Sequence, residues 1–322
     1  MGGPLKLLLA TPISADATEL LQQRHDVVLG FERSEDIVAL VADREGLVFR
    51  SGVTISREVI EAAADLRLIV RAGSGLDNID LDAARGRGIR VARVPGASPE
   101  AVAELTLGLM LAAARNIRLA DSLIRQGRWP KYDLGGQLIA GKTLGIVGAG
   151  RIGSRFGALC SALGMRVIGC VEYPDSETAE SLADAGITIT EFGSVITESD
   201  FISIHTPLQE STRNLIDATV IAKMKTGAVL INTARGGIVN ESAAYEALKT
   251  GDLSAAAFDV HEREGQGVVP ELAALPNVTL TPHIGGMALE TQSLIGARVI
   301  EIVEAFLVDD FDSVVTPDEI VL

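Results

Sequence analysis

Cysteine, histidine and aromatic residues are scarce in this chain: 2 Cys, 4 His, and only 4% Phe, Trp and Tyr together. Two cysteines, Cys160 and Cys170, make neither a disulfide framework nor a four-ligand zinc cluster. Both are read as structural, and no metal is expected. With so few aromatics, the cores must be built mainly from Ala, Val, Leu and Ile. Basic residues also run short, 28 against 43 acidic, for a formal net charge of −15. A field of that sign repels polyanions, which argues against nucleic acid or an anionic membrane as partner. A small anionic substrate is still admissible where a few arginines line one site. Long apolar runs are missing as well. The opening MGGPLKLLLATPIS has only a short apolar stretch between Lys6 and Thr11, too brief for a signal peptide or a membrane span. It reads as a first buried strand, and the protein as cytoplasmic.

What is present is a regular alternation. At 322 residues and 47% hydrophobic the chain is long enough for two domains. Short Val/Ile/Leu-rich runs at 5–10, 26–29, 46–49, 68–71 and 90–94 read as strands, with helical patterns such as 56–64 and 81–87 between them. Runs without polar alternation suit strands covered on both faces, hence a parallel sheet with crossover helices. A helix is expected over 99–118, its LTLGLMLAAA stretch short of a membrane span and therefore buried. A second series follows: strand 143–147, helix 152–163, then strands at 166–171, 201–204, 228–232, 255–259 and 278–280. A helix over 289–306 is expected to return to the first domain, and the acidic tail 307–322 to dress the surface. The fold class is α/β with two doubly wound parallel-sheet domains, residues 1–98 plus 289–322 and residues 99–288.

The run TLGIVGAGRIG sets Gly148, Gly150 and Gly153 at GxGxxG spacing after an apolar strand and before a helix. In that context the first glycine permits the tight turn, the second lets backbone approach a pyrophosphate, and the third lets helix pack on strand. The helix N-terminus then faces the phosphates. About 20 residues on, Glu172 is the carboxylate near the end of the second strand. It would accept the ribose hydroxyls and repel a 2′-phosphate, which favours NAD over NADP. No Arg or Lys follows in YPDSETAES.

Three polar residues lie just past strand ends, where open α/β sheets bind ligands: Arg235 in NTARGG, Glu264 in DVHEREG and His283 in TPHIGG. Taken singly, an arginine after a strand is commonly a surface ion pair and a histidine in a turn commonly structural. Together they match what hydride transfer to a 2-keto acid demands. Arginine grips the carboxylate and polarises the ketone through its fork of donors. Histidine gives a proton to the nascent alkoxide and takes it back in reverse. A carboxylate beside it orients the imidazole.

At these residues the sequence resembles the D-isomer-specific 2-hydroxyacid dehydrogenase family, from about Phe49 to about Gln292. GAGRIG, HTPL, NTARGG and TPHIGG occur in the family's order. Within it, RSGVTISREVIEAAADLRLIVRAGSGLDNIDLDAA and VPGASPEAVAELTLGLML are most similar to the phosphoglycerate dehydrogenase branch. The resemblance implies a Rossmann nucleotide domain inserted into a flavodoxin-like substrate domain, hinge closure, and a homodimer joined through the nucleotide domains. It implies Arg235, Glu264 and His283 as the catalytic trio, and Ser74 and Gly75 as backbone donors to the substrate carboxylate. Its cofactor contacts fall on Arg151, Ile152, His205, Pro207, Thr233, Ala234, Asp259 and Gly286. Three departures stand out. The usual ribose-binding Asp falls on Val171, one place before Glu172. Gly265 stands where proline is common. No regulatory domain follows the returning helix, so feedback by serine is not expected.

For the far end of the substrate, Arg50 in FRSG and Arg71 in VRAG are the cationic candidates. The choice is 3-phosphoglycerate; hydroxypyruvate, glyoxylate or a phosphonate- or sulfonate-bearing keto acid stay open. NAD-sensing corepressors share the family's fold and trio, but the acidity and short termini here favour an enzyme.

Overall fold

The structure, a computed structural model, describes residues 3–95, 99–172 and 174–322. Residues 96–98, which carry part of the VPGASPE run and the expected domain boundary, lie outside the described residues, as does Tyr173. The chain divides into two compact units, Met1–Ser98 with Gly286–Leu322, and Pro99–Gly285.

The first unit holds five parallel strands: β1 (Lys6–Leu9), β2 (Asp26–Leu29), β3 (Gly46–Phe49), β4 (Leu68–Arg71) and β5 (Arg90–Arg93). Their order is β2-β1-β3-β4-β5, the flavodoxin-like arrangement. Successive residues point to opposite faces. Leu7 and Leu9 pack with Val48, Val70 and Ala92 against Ile295, Val299, Ile302 and Val303 of the helix Leu289–Leu307. Leu8 packs on the other side with Leu47, Phe49, Ile69 and Val91 against Val59 and Ile60. Each such fully buried aliphatic side chain contributes about 1.5–3 kcal/mol, and covering both faces is what allows an all-parallel sheet.

The second unit holds seven parallel strands: β6 (Thr143–Val147), β7 (Arg166–Cys170), β8 (Ile187–Ile189), β9 (Phe201–Ile204), β10 (Ala228–Asn232), β11 (Leu253–Phe258) and β12 (Val278–Leu280). Their order is β12-β11-β10-β9-β6-β7-β8. The direction of travel reverses between β6 and β9, the switch point of a Rossmann sheet. β8 was not foreseen; three residues, one of them exposed, carry too little pattern.

Two expectations are corrected. The helix expected over 99–118 stops at Ala114, and a second runs Ile117–Arg125. Between them Asn116 takes a left-handed conformation (φ 54°), which asparagine tolerates better than most residues, and its Nδ2 donates to Gly135 O. The Gln137 amide takes the freed Ala114 carbonyl at 2.8 Å. The partners come from beyond the helix, so the apolar pattern ran on past the break. The tail, in turn, does more than dress the surface. Phe311 and Val315 are core residues, Glu319 is buried, and Ile320 bridges Ala92 antiparallel at the edge of β5. Among the described residues no helix is long and apolar enough to cross a membrane.

Candidate functional site

The glycine turn sits directly after β6. Gly148 has φ 92°, and a Cβ there would stand 2.8 Å from the His205 and Thr206 backbone after β9. The Gly148 and Ala149 amides both donate to Cys170 O, at 3.1 and 3.0 Å. At Gly153 a Cβ would lie 2.5 Å from Gly148 O and 2.9 Å from Ile146, so that glycine serves packing of helix on strand. Gly150 differs: a Cβ there meets no protein atom within 4 Å. Its position is exposed, and no side chain caps the helix Arg151–Ala162 that it begins. Open amides at a helix N-terminus attract phosphate. The residues therefore fit a dinucleotide.

The neighbouring loop after β9 brings His205 to the same place. Its Nε2 shares a hydrogen bond with Ser203 Oγ at 2.8 Å. Its Nδ1 is shut off from solvent with no partner among the described residues, and burial pulls the imidazole down to about 3. His205 is neutral at physiological pH and offers one unsatisfied ring nitrogen. Pro207 is exposed beside it. Glu172 is exposed two residues past the end of β7, and Val171 is partly buried against the sheet core. The aspartate position is thus an apolar packing site here. Burial pushes the Cys160 thiol up to about 12 and raises that of Cys170, which keeps both unreactive. No metal-ligating cluster exists among the described residues.

The loops after β10, β11 and β12, three neighbours in the sheet, carry Arg235, Glu264 and His283. Buried Asn232 ends β10 and shapes the first loop, donating to Arg235 O at 2.9 Å and accepting the Ala234 amide at 3.1 Å. Arg235 Nη1 donates to Ala234 O at 2.7 Å. Thr233 is buried, its hydroxyl 2.8 Å from that of Thr106. A Cβ at Gly236 would fall 1.9 Å from His261 O, so only glycine lets the first loop lie against the second.

Asp259, 1% exposed, ties the second loop to the third. Its carboxylate accepts from the Ile284 and Gly285 amides, both at 2.8 Å, and from Thr281 Oγ1 at 2.6 Å. Its own carbonyl accepts the His283 amide at 2.7 Å. The residue expected to contact cofactor thus also shapes the histidine loop. His283 sits at φ 56°, a conformation that costs on the order of 1–3 kcal/mol. The Asp259 bonds hold it there.

His283 Nδ1 donates to Glu264 Oε2 at 2.8 Å, and the two side chains are 26% and 28% exposed: reachable, yet shielded. Burial by itself would raise the Glu264 carboxyl. The bond and charge of His283 and the His261 amide outweigh it, so the net shift is downward and Glu264 stays ionised. Gly265 has φ 141°, which a proline ring cannot adopt; the departure from the family pattern has a backbone reason.

Sequence reasoning missed His261. Its amide donates to Glu264 Oε1 at 3.1 Å, and its Nε2 donates to Thr281 O at 3.1 Å, two residues before His283. Asn232 was overlooked too, although an Asn closing a strand before a turn is a readable signal.

In the first unit, Ser74 is exposed and Gly75 half-buried. Arg71 is 7% exposed, donates through Nε to Gly75 O at 3.1 Å and lies over the Phe49 ring. Arg50 bonds Gln292 Oε1 and, at 3.1 Å, Met287 Sδ. Its Nε is buried without a partner among the described residues, and burial holds the guanidinium below the usual arginine range. Gly286 falls in this unit and accepts from Gln292 Nε2.

A dinucleotide-type turn at the switch point, with a carboxylate–histidine pair and an arginine on adjacent strand ends, defines a dinucleotide-dependent oxidoreductase. Residues 107–285, more than half of the chain, match the NAD binding domain of the D-isomer specific 2-hydroxyacid dehydrogenases. The chain belongs to this family of NAD-dependent enzymes. It is 40% identical over 294 residues to a hydroxypyruvate reductase of Thermotoga maritima, covering 90% of this chain and 94% of that one. It is 42% identical over 306 residues to D-3-phosphoglycerate dehydrogenase of Methanocaldococcus jannaschii, covering 94% of this chain but 57% of that relative. The D-lactate dehydrogenase of Aquifex aeolicus, solved with NAD and lactic acid, superposes with a TM-score of 0.84 at 27% identity, covering 98% of both chains.

Proposed function

We propose that the protein reduces a small 2-keto acid to the D-2-hydroxy acid, and the reverse, with 3-phosphoglycerate/phosphohydroxypyruvate as the substrate pair. In this reading residues 99–288 hold NAD, and residues 1–98 with 289–322 read the substrate. The observation that carries it is the 2.8 Å contact between His283 and Glu264, with Arg235 one strand over. NADH, when bound, supplies the hydride. Gly148, Gly150, Arg151, Ile152 and Gly153 would cradle its pyrophosphate, and Glu172 its ribose. His205, Pro207, Thr233, Ala234, Asp259 and Gly286 would line the rest.

Arg235 grips the carboxylate and polarises the keto oxygen. His283 delivers its proton to that oxygen as it becomes an alkoxide, and removes it in the oxidative direction. Glu264, held ionised, keeps the imidazole turned with Nε2 free for this exchange. The Ser74 and Gly75 amides bind the carboxylate. Arg50, with a buried unsatisfied Nε, and Arg71 serve the far anionic group.

A hydroxypyruvate substrate has equal support from the Thermotoga relative, which matches over nearly its whole length. A panel of keto acids separates the two, followed by loss of the reduced-nicotinamide absorbance: phosphohydroxypyruvate, hydroxypyruvate, glyoxylate, pyruvate, phosphonopyruvate and sulfopyruvate. Preference for phosphohydroxypyruvate supports the first reading, and preference for hydroxypyruvate the second. Tight NADH binding without any turnover would overturn both in favour of a cofactor sensor. The reading includes a cytoplasmic location, which the two unpaired thiols suit. It also includes a homodimer, which exposed Ile117, Ile124, Trp129, Tyr132 and Leu138 in the second unit support.

A further inference from the structure

We infer that Arg93 is a positioning residue that aims the Gly75 amide, and that the C-terminal segment, by holding Arg93, is part of the substrate-recognition apparatus. The inference rests on the proposed role of the Ser74–Gly75 loop as the carboxylate donor.

Arg93 is the last residue of β5, the edge strand. The C-terminal segment covers that edge. Val321 N donates to Val91 O at 2.8 Å, Val91 N to Leu322 O at 3.1 Å and Arg93 N to Glu319 O at 2.9 Å. The segment is itself locked. Arg298 donates through Nε and Nη2 to the two Glu319 carboxylate oxygens at 2.7 and 2.6 Å, and through Nη2 to Val314 O at 2.8 Å. Thr316 donates to Glu319 Oε2 through both its amide and its hydroxyl, at 2.8 Å each.

From this fixed segment the Asp318 carbonyl accepts Arg93 Nε at 2.9 Å. The same guanidinium reaches through Nη1 to the Ser74 carbonyl at 3.3 Å. Arg93 therefore spans the tail and the loop. In a planar trans peptide the carbonyl and the following N–H point in opposite directions. Holding Ser74 O thus sets the direction of the Gly75 N–H. The RAGSG loop has glycine on either side of Ser74, so its own sterics restrain that peptide weakly. Arg71 Nε grips the next carbonyl, Gly75 O, at 3.1 Å. Among the described residues neither the Ser74 nor the Gly75 amide has an acceptor, so both remain for a ligand. The rigid fork of an arginine is what allows one side chain to hold two carbonyls at once.

The test is steady-state kinetics of full-length Arg93→Lys and Arg93→Gln on the best keto acid of the panel, with NADH affinity and melting temperature measured beside it. Both variants should raise KM about tenfold while kcat and NADH affinity stay within about twofold of the wild type. Glu319→Gln, which leaves Arg93 in place and loosens the tail, should raise KM selectively as well. This variant decides the matter should the Arg93 variants fail to fold. Wild-type KM in all three overturns the inference. So does wild-type KM in Arg93→Lys alone, which would show charge rather than aim to matter. So does a joint fall of kcat, NADH affinity and melting temperature, the mark of a merely structural role. Wild-type protein that turns over no keto acid overturns the proposed function, and this inference with it.

Discussion

The Nδ1 of His283 lies 2.8 Å from Oε2 of Glu264, and the other oxygen of that carboxylate accepts the His261 amide at 3.1 Å. The pair is thus held from both ends. One oxygen meets the imidazole and the other anchors to the loop that carries the glutamate. The left-handed backbone at His283 is sustained by Asp259, whose carboxylate takes up Ile284, Gly285 and Thr281. The strain at this residue is therefore borne by a buried, fully bonded carboxylate.

His283→Gln should abolish turnover and leave NADH binding nearly intact, because the imidazole acts on substrate oxygen. The drop in kcat should be at least about a hundredfold, the low end for a lost acid–base group. Titration of NADH fluorescence beside kinetics checks it, and a comparable loss of NADH affinity would contradict the role.

Arg235→Lys should cost about a hundredfold in kcat/KM although the charge is kept, since the planar fork that grips a carboxylate is lost. Near-normal kinetics in this variant would remove Arg235 from the trio.

Two glycines of one motif should behave differently. In Gly153→Ala the new methyl meets Gly148 O at 2.5 Å, so overpacking should cost roughly 1–3 kcal/mol and lower the melting temperature. In Gly150→Ala the methyl meets no protein atom within 4 Å. That variant should melt like wild type yet bind NADH about tenfold or more weakly. Unimpaired NADH binding in Gly150→Ala would argue against the cradle.

Stability should fall in acid through Glu319. The hydrogen bond from Arg298 outweighs burial, and Thr316 adds to it, so the carboxyl is drawn from 4.5 to about 2. A folded-state value below the unfolded one stabilises the fold above the unfolded value, and the gain is lost as pH falls from about 4.5 towards 2. The contribution near neutrality is on the order of 3 kcal/mol. Urea titrations of wild type and Glu319→Gln should differ by this order at neutral pH and converge in strong acid. Parallel curves at every pH would refute the assignment.

Much of the framework was legible in the residues. Val/Ile/Leu runs announce strands buried on both faces, and Gly148, Gly150 and Gly153 announce a turn with open amides. The GG of NTARGG and the GG of TPHIGG mark turns at strand ends. The three-residue strand β8 was not legible, nor was the helix break at Asn116, whose Nδ2 partner is Gly135. Arg71 was legible as a cation at the end of β4; its place over the Phe49 ring was not, because Phe49 belongs to a different strand. His261 was invisible for the same reason: its two contacts, Glu264 and Thr281, belong to different loops.

By itself the sequence determined the α/β class, the two units of alternating strands and helices, the dinucleotide turn and the identity of the catalytic candidates. These rest on local chemistry: which residues must be buried, where glycine is needed, and which side chains carry donors or protons. Only the tertiary structure decided the strand orders, and with them the pairing of His283 with Glu264; it also decided the pairing of Arg298, on the helix Leu289–Leu307, with Glu319 of the tail. It also decided that Asp259 holds the loop of His283, and that the tail closes on β5 and reaches Ser74 through Arg93. Hydrogen-bond partners 19 to 26 residues apart, as at His283–Glu264 and Asp259–Gly285, follow from which strand ends become neighbours. That neighbourhood is a property of the packed sheet and not of any local pattern.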